Sequence, residues 1–205
     1  KLAEPVINSC GKPLNVDSIM LLINTLAPGN HAAKASIDIA LHDLYGKLEG
    51  KPLWQMWDID PNATPCTSYT IGYDASDSIV LVKVREADWA KILKVKLGRE
   101  EAEDKRMINL IRSISDKPIY VDANQGWLTK EHALMMCQWL EKQGVVLIEQ
   151  PMPKHMNEEH AWLCEQVELP IIADEACQTY DDVAGLQPYY DGINIKLMKC
   201  GGIAE

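Results

Sequence analysis

Three acidic residues, Asp122, Glu149 and Asp174, stand at the ends of three successive β-rich runs of the chain. If these runs are neighbouring strands of a barrel, their ends converge and the three carboxylates crowd one small volume. Without a counter-charge the carboxylates would repel each other and their pKa values would rise. Mg²⁺ would resolve this, because it accepts carboxylate oxygens and keeps positions for water or substrate. Each acid could instead be a separate helix-capping or surface residue, but three acids in register favour the metal site.

Lysines stand at the ends of two further runs. Lys94 and Lys96 are two positions apart, so in a strand both side chains face the same way. On an interior face, two ammonium groups would lower each other's pKa, which makes a lysine usable as a base near neutral pH. A solvated edge strand is the alternative, but the apolar residues between and around the lysines disfavour it. Lys196 ends a later run and would face the Lys96 strand across a barrel mouth as a second base.

The elements that position these residues repeat along the chain. Six β-rich runs are predicted, with last residues 22 to 27 positions apart: 67–71, 92–96, 118–122, 145–149, 170–174 and 192–196. Helical patterns separate them. One helix face combines Met107, Leu110, Ile111 and Ile114. Another combines Ala133, Met136, Cys137 and Leu140.

Helix boundaries are predicted from capping residues. Thr129 is placed to begin the second of these helices and Gly144 to end it. Asn157 and Thr179 are placed to cap the next two helices. The stretch 79–89 is β-branched at its start, and we interpret it as a helix because the alternation requires one there.

Strands that alternate with helices predict an α/β fold with a parallel sheet. Continuous apolar strands such as 145–148 suit a sheet that is buried on both faces. An open doubly wound sheet and a (β/α) barrel are both compatible with this pattern. The barrel is favoured because no glycine-rich phosphate loop follows the first strand, and because five of the six runs end in a charged side chain.

The first 62 residues differ from the rest. Ala33, Ile37, Ala40, Leu41, Leu44 and Leu48 form an apolar stripe at helical spacing that ends near Gly50, and 58–65 resembles a linker. We therefore predict a helical segment over 1–62 and a barrel over 63–205. A closed barrel needs about two more strands, and the chain begins without Met. We expect a fragment that lacks material at both ends.

Composition limits the classes of function. The formal charge of −10 and the absence of clustered Lys/Arg argue against a nucleic-acid surface. Neither a membrane span nor a secretory signal is visible. The six scattered cysteines form no C-x-x-C pair, so we expect reduced, buried thiols in a cytoplasmic protein. His155 and His160 are five residues apart, which does not fit a zinc-binding helix, and we interpret both as surface residues.

Together these motifs resemble the signature series of the enolase superfamily, muconate-lactonizing-enzyme subgroup. The resemblance is carried by KVK at 94–96, DAN at 122–124, EQP at 149–151, DE at 174–175 and NIKLMKCGG at 194–202. Residues 36–44 resemble the helix that leads from the family's capping domain into its barrel. Ser36 and His42 depart from the usual alanine and tryptophan of that helix. The finer pattern, TSYTIG at 67–72 and DANQGW at 122–127, is most similar to dipeptide epimerases of the L-Ala-D/L-Glu type.

The resemblance implies a role for each site residue. Asp122, Glu149 and Asp174 would bind Mg²⁺, and Lys96 and Lys196 would be the acid/base lysines. Asn124 and Glu175 would support the metal site, and Thr70 and Lys94 would lie beside the substrate. The implied fold is the α/β barrel of the enolase type, preceded by the C-terminal part of an α+β capping domain.

The activity implied is Mg²⁺-dependent epimerisation of a dipeptide at the α-carbon of its C-terminal residue. Two lysines would exchange a proton on opposite faces of an ene-diolate. A muconate-type cycloisomerase and an o-succinylbenzoate synthase or N-acylamino acid racemase are alternatives on the same scaffold. A Schiff base on Lys196 and a non-catalytic binding barrel are others. We expect a small-molecule substrate, a homo-oligomer, and neither a nucleic-acid nor a membrane partner.

Overall fold

The computed structural model describes residues 1–9, 11 and 14–204. The chain divides into two compact units. The first comprises Lys1–Thr64, Gln178–Tyr180 and Ile195–Glu205, and the second comprises Pro65–Cys177 and Asp181–Asn194. Among the described residues, no helix combines the length and apolar character that crossing a membrane requires. The division of the chain into domains 1–62 and 63–205 remains a prediction.

The first unit begins with four helices and a 3₁₀ turn: α1 (Glu4–Asn8), α2 (Val16–Leu26), α3 (His31–Glu49), α4 (Leu53–Met56) and the turn Pro61–Ala63. Helix α2 begins after Asn15, whose side chain accepts a hydrogen bond from the Ser18 backbone N–H at 2.8 Å. Such a cap satisfies one of the free N–H groups of the first turn. The small core of this unit consists of Val16, Ile19, Met20, Ile23 and Leu41.

Helix α3 buries a different face from the predicted apolar stripe. Leu44 and Leu48 are exposed, whereas the polar residues Asp38 and His42 are buried beside Leu41. Oδ2 of the Asp38 carboxylate accepts a hydrogen bond from the backbone N–H of Ile203, which offsets part of the cost of burying this polar group. The predicted end of the helix is confirmed, because Gly50 follows it in the left-handed conformation with φ +65°.

The second unit contains a six-stranded parallel sheet. Its strands are β1 (Ser68–Ile71), β2 (Ile92–Lys96), β3 (Ile119–Asp122), β4 (Val145–Glu149), β5 (Ile171–Ala173) and β6 (Gly192–Ile193). The strands follow one another in chain order across the sheet. A doubly wound sheet reverses its strand order at a switch point, so this order is that of a barrel. The predicted α/β barrel architecture is confirmed.

Helices separate the strands as the sequence predicts. They are α5 (Asp77–Glu86), α6 (Glu101–Arg112), α7 (Lys130–Lys142), α8 (Asn157–Gln166) and α9 (Tyr180–Leu186), and a last helix, α10, spans Leu197–Cys200. The Thr129 hydroxyl accepts from the His132 N–H and begins α7, and Gly144 with φ +71° follows its end. The predicted cap at Asn157 is wrong by one residue, because Asn157 is already inside α8.

The core of the second unit lies between the sheet and its helices. On β2, Leu93 and Val95 are fully buried, while Lys94 and Lys96 on the other face are partly accessible. The predicted face of α7 is buried throughout. On α6, Met107 and Ile111 are buried as predicted, but Ile114 lies beyond the helix end and is exposed.

Three further expectations differ from the structure. Strand β6 ends at Ile193, so Lys196 does not end a strand but precedes α10. His160 is fully buried, not on the surface. Cys137 and Cys177 are buried free thiols, but Cys66 is exposed. The same prediction of a reduced, buried thiol for Cys10 lies outside the described residues.

Candidate active site

Three carboxylates meet at the carboxyl ends of consecutive strands. Asp122 ends β3, Glu149 ends β4 and is its register partner, and Asp174 directly follows β5. All three side chains are buried. One oxygen from each lies within 4.8 Å of the others. The parallel order of the strands therefore produces the convergence that the sequence predicts.

The cluster fits a divalent cation by its chemistry. It offers only hard oxygen ligands, it concentrates three acidic groups out of solvent, and it lies at the carboxyl ends of parallel strands. Two lysines supply positive charge to the same group. Lys94 contacts Glu149 and lies 3.1 Å from the Asp122 carboxylate, and Lys96 contacts Asp122.

The electrostatics of this cluster differ in one respect from the expectation. Burial, together with the negative charge of Asp122, raises the pKa of Glu149. Burial by itself would lower the pKa of Lys94, but the hydrogen bond to Glu149 and the charges of Glu149 and Asp122 outweigh it, so this pKa is raised. The expected mutual lowering by two lysines is therefore wrong for Lys94, because carboxylates are its nearest neighbours.

Amide side chains complete the polar network. The Lys96 ammonium donates to Asn124 Oδ1 at 2.9 Å, and Asn124 Nδ2 donates to Glu175 at 3.1 Å. Asn124 has φ +46°, a left-handed conformation supported by its backbone N–H bond to Asp122. Asn194 donates to Glu149 at 2.7 Å. Sequence reasoning missed Asn194, although it lies in the same motif as Lys196.

Two further predicted site residues are Thr70 and Lys196. Thr70 is exposed on β1, where its Cα is the register partner of Lys94 on the neighbouring strand. Lys196 lies in the first unit, and its carbonyl accepts from the Lys199 and Cys200 N–H groups in the first turn of α10. The roles of both residues remain predictions.

Sequence reasoning missed a buried polar group that consists of Gln150, His160 and Tyr190. Gln150 Nε2 donates to the Tyr190 hydroxyl at 3.0 Å. His160 Nδ1 lies 2.7 Å from the Met156 carbonyl, which can only accept, so this nitrogen carries the proton. Burial lowers the pKa of His160 and raises that of Tyr190 to about 12. The only sequence signal was the position of Gln150 beside Glu149.

Asp104 is a further buried acid, and sequence reasoning missed its role. Its carboxylate accepts from the backbone N–H groups of Gly98 and Arg99 at 3.0 and 3.1 Å, and from Trp127 Nε1 at 3.2 Å. Burial raises its pKa in spite of these bonds. Asp104 thus joins the loop after Lys96 to the loop after Asp122.

A barrel-type parallel sheet with three acids and two lysines at its carboxyl edge is the arrangement that the resemblance to the enolase superfamily predicts. The family model described as Enolase C-terminal domain-like matches residues 80–205. The model for the Mandelate racemase / muconate lactonizing enzyme N-terminal domain matches residues 1–57. The chain belongs to this family of the enolase superfamily.

Relatives of this chain include dipeptide epimerases. The chain is 50% identical over 194 residues to the L-Ala-D/L-Glu epimerase of Bacteroides thetaiotaomicron, covering 94% of this chain and 50% of that protein. It is 34% identical over 198 residues to a hydrophobic dipeptide epimerase of Enterococcus faecalis, covering 94% of this chain and 55% of that protein. The chain therefore spans about half the length of the curated relatives it matches.

Solved structures similar to this chain include dipeptide epimerases and a muconate lactonizing enzyme from Pseudomonas putida. A dipeptide epimerase from Enterococcus faecalis V583 superposes with a TM-score of 0.87 at 32% identity, covering all of this chain and 60% of that one. A dipeptide epimerase from Cytophaga hutchinsonii, complexed with Mg and D-Ala-L-Val, has a TM-score of 0.84 at 27% identity. The match covers 98% of this chain and 56% of that one.

Proposed function

We propose that the protein is a Mg²⁺-dependent dipeptide epimerase that inverts the α-carbon of the C-terminal residue of its substrate. The observation that carries this proposal is the convergence of three buried carboxylates with a partly accessible lysine beside them. Relatives named dipeptide epimerases, with identities up to 50%, support it. A dipeptide complex with Mg in a similar structure supports the choice of metal.

Asp122, Glu149 and Asp174 would hold the metal. When bound, Mg²⁺ would supply positive charge next to the substrate carboxylate, where negative charge grows as the α-proton leaves. Asn194 orients Glu149, and the backbone N–H of Asn124 orients Asp122. Hydrogen-bonded carboxylates of this kind keep a fixed direction without rearrangement during the reaction.

The two lysines of β2 take different roles in this proposal. The Lys96 side chain is 36% exposed and the Lys94 side chain 16%. Lys96 is therefore the one that can reach a substrate α-proton, and Asn124 holds its ammonium in place. Lys94 lies between two carboxylates that keep it charged, so it supplies a fixed positive charge beside the substrate. Thr70, on the neighbouring strand, would line the same side.

Lys196 is proposed as the second base on the strength of the family motif at 194–202. One lysine would take the α-proton from one face, and the other would return a proton to the opposite face. Because either lysine can begin, both epimers would be substrates. L-Ala-L-Glu is the first dipeptide to test, given the relative from Bacteroides thetaiotaomicron, and hydrophobic dipeptides follow.

The test is exchange of the substrate α-proton in D₂O, followed by NMR with each epimer. We expect Lys96→Ala to lose exchange with one epimer and Lys196→Ala with the other, each by about 10²–10⁴-fold. Lys47→Ala is the matched control, because the Lys47 side chain is 71% exposed in a surface ion pair. Identical behaviour of the two site variants with both epimers would contradict the two-base scheme.

A further inference from the structure

Gln150 occupies an unusual position for a glutamine. It directly follows Glu149 at the end of β4, it is fully buried, and its backbone has φ +40°. Residues other than glycine adopt this left-handed conformation at a cost, and they keep it only where their surroundings impose it. The surroundings of Gln150 are the loops that carry the three acids.

The Gln150 side-chain oxygen holds the end of the next strand. Oε1 accepts two hydrogen bonds, from the backbone N–H of Asp174 and from that of Ala176, each at 3.0 Å. Asp174 is itself one of the three acids. The Gln150 side chain therefore fixes the backbone of Asp174.

The Gln150 side-chain nitrogen holds the opposite side. Nε2 faces three acceptors: the Met152 carbonyl at 3.2 Å, the Tyr190 hydroxyl at 3.0 Å and His160 Nε2 at 3.5 Å. A carbonyl can only accept and a backbone N–H can only donate, so these partners fix the orientation of the amide. A carboxylate or an apolar side chain could not reproduce both sides.

The backbone of Gln150 adds a third connection. Its N–H donates to the Ile172 carbonyl on β5, and its carbonyl accepts from the Gln125 N–H in the loop after β3, both at 2.8 Å. One residue thus joins the chain segments that follow β3, β4 and β5. Asp122 and Glu149 are the residues just before the first two segments, and Asp174 begins the third.

We propose that Gln150 is a positioning residue that sets the spacing of Asp174 relative to Glu149, and thereby the affinity of the acid cluster for Mg²⁺. This inference rests on the proposed function, since it requires that the cluster binds the metal. Without Oε1, the N–H groups of Asp174 and Ala176 would be left without their acceptor, and the chain would move to find another. The carboxylate of Asp174 would move with its backbone.

The experiment measures the Mg²⁺ dissociation constant by calorimetry in the intact protein. Gln150→Met keeps the length of the side chain and removes both polar atoms. We expect it to weaken Mg²⁺ binding by about 10–100-fold, the usual effect of removing a group that orients a metal ligand. Gln150→Glu restores an acceptor for Asp174, so we expect it to recover most of the affinity. Gln150→Asn, which withdraws the oxygen by one methylene, serves if the Met variant does not fold.

Two controls separate positioning from general stability. Tyr190→Phe removes a partner of Gln150 Nε2 but keeps the hydrogen bond from the Asp174 N–H to Gln150 Oε1. The Mg²⁺ dissociation constant of this variant should therefore stay within about twofold of the parent value. Gln166→Met makes the same substitution at an exposed position. Folded Gln150→Met or Gln150→Asn with parental affinity would overturn the inference, as would equal losses in the Met and Glu variants. If the parent itself bound no Mg²⁺, the proposed function would fail first.

Discussion

At the scale of single residues, chemistry is assigned by surroundings more than by residue type. Lys94 and Lys96 share a strand and a face, yet one lies between Glu149 and Asp122 and the other between Asp122 and Asn124. The two carboxylates keep Lys94 positively charged, which suits it to stabilise a negative charge on the substrate. Lys96 contacts one carboxylate and one amide and is more accessible than Lys94, which suits it to transfer a proton.

Buried His160 leads to a prediction about pH. Burial lowers its pKa below the ordinary 6.5, so the unfolded chain binds this proton more readily than the folded one. Stability from the neutral, buried imidazole is therefore present above pH 6.5 and is lost as the pH falls through the interval between 6.5 and the folded pKa. We expect the free-energy difference between the parent and His160→Gln to shrink over that interval, measured by urea unfolding.

The difference between parent and variant matters because other groups titrate too. Asp104 and Glu149 have raised pKa values, and they favour the folded state toward lower pH instead. His155→Gln is the matched control, since His155 is exposed five residues earlier. A parent–variant difference that stays constant from pH 8 to pH 5 would contradict the assignment.

At the scale of elements, the loops after β2 and β3 are held together by two glycines. Gly98, with φ +85°, and Gly126 contact each other through their backbones. A Cβ on Gly126 would lie 2.1 Å from the Gly98 carbonyl oxygen, and a Cβ on Gly98 would lie 1.8 Å from that of Ala123. These loops follow Lys96 and Asp122, which are register partners on β2 and β3, so the glycine contact continues the approach of the two strands beyond the proposed base and the metal ligand.

Gly126→Ala should therefore separate the two loops. We expect a loss of at least about 2 kcal/mol in the free energy of unfolding, because backbone atoms cannot give way as side chains do. Gly185→Ala is the matched control. Gly185 lies in α9 with no atom near the added Cβ, so alanine there should gain up to about 1 kcal/mol. Equal effects of the two substitutions, in chemical denaturation, would contradict this account.

Elements with strong local signals could be predicted from the sequence. Strands β2 and β4 match the predicted runs, and α7 lies between the predicted boundary residues Thr129 and Gly144. Strand β6 was predicted three residues too long. The alternation through Asn194 to Lys196 is typical of a strand, but β6 ends at Ile193, and the Asn194 N–H donates to the Ala173 carbonyl of β5 at 2.7 Å. The Asn194 side chain bonds to Glu149, 45 residues away in the chain.

The same distinction between local and distant signals applies to the candidate site. The three acids could be predicted because each lies at the carboxyl end of its own strand or directly after it, and parallel strands bring such ends together. The burial of Asp38 on α3 could not, because its partner Ile203 lies 165 residues further on. Gln150 gave no local signal of its role either, since its amide is defined by contacts from three other segments.

At the scale of the whole molecule, the acid cluster should couple Mg²⁺ to folding. A ligand that binds only the folded chain adds stability in proportion to the logarithm of its concentration over its dissociation constant, about 2.7 kcal/mol at a hundredfold excess. We expect chelation to lower the melting temperature and to abolish activity, and Mg²⁺ to restore both. Asp174→Asn should remove most of this dependence, because it withdraws one charged ligand from the cluster.

The matched control for this experiment is Asp88→Asn, whose side chain is 94% exposed. An exposed ion pair contributes little to stability, so this variant should respond to Mg²⁺ as the parent does. A parent whose melting temperature and activity are both insensitive to chelation would contradict the metal site. The lysines alone would then have to balance the three acids, and no other group among the described residues of the cluster could hold the charge that forms when the α-proton leaves.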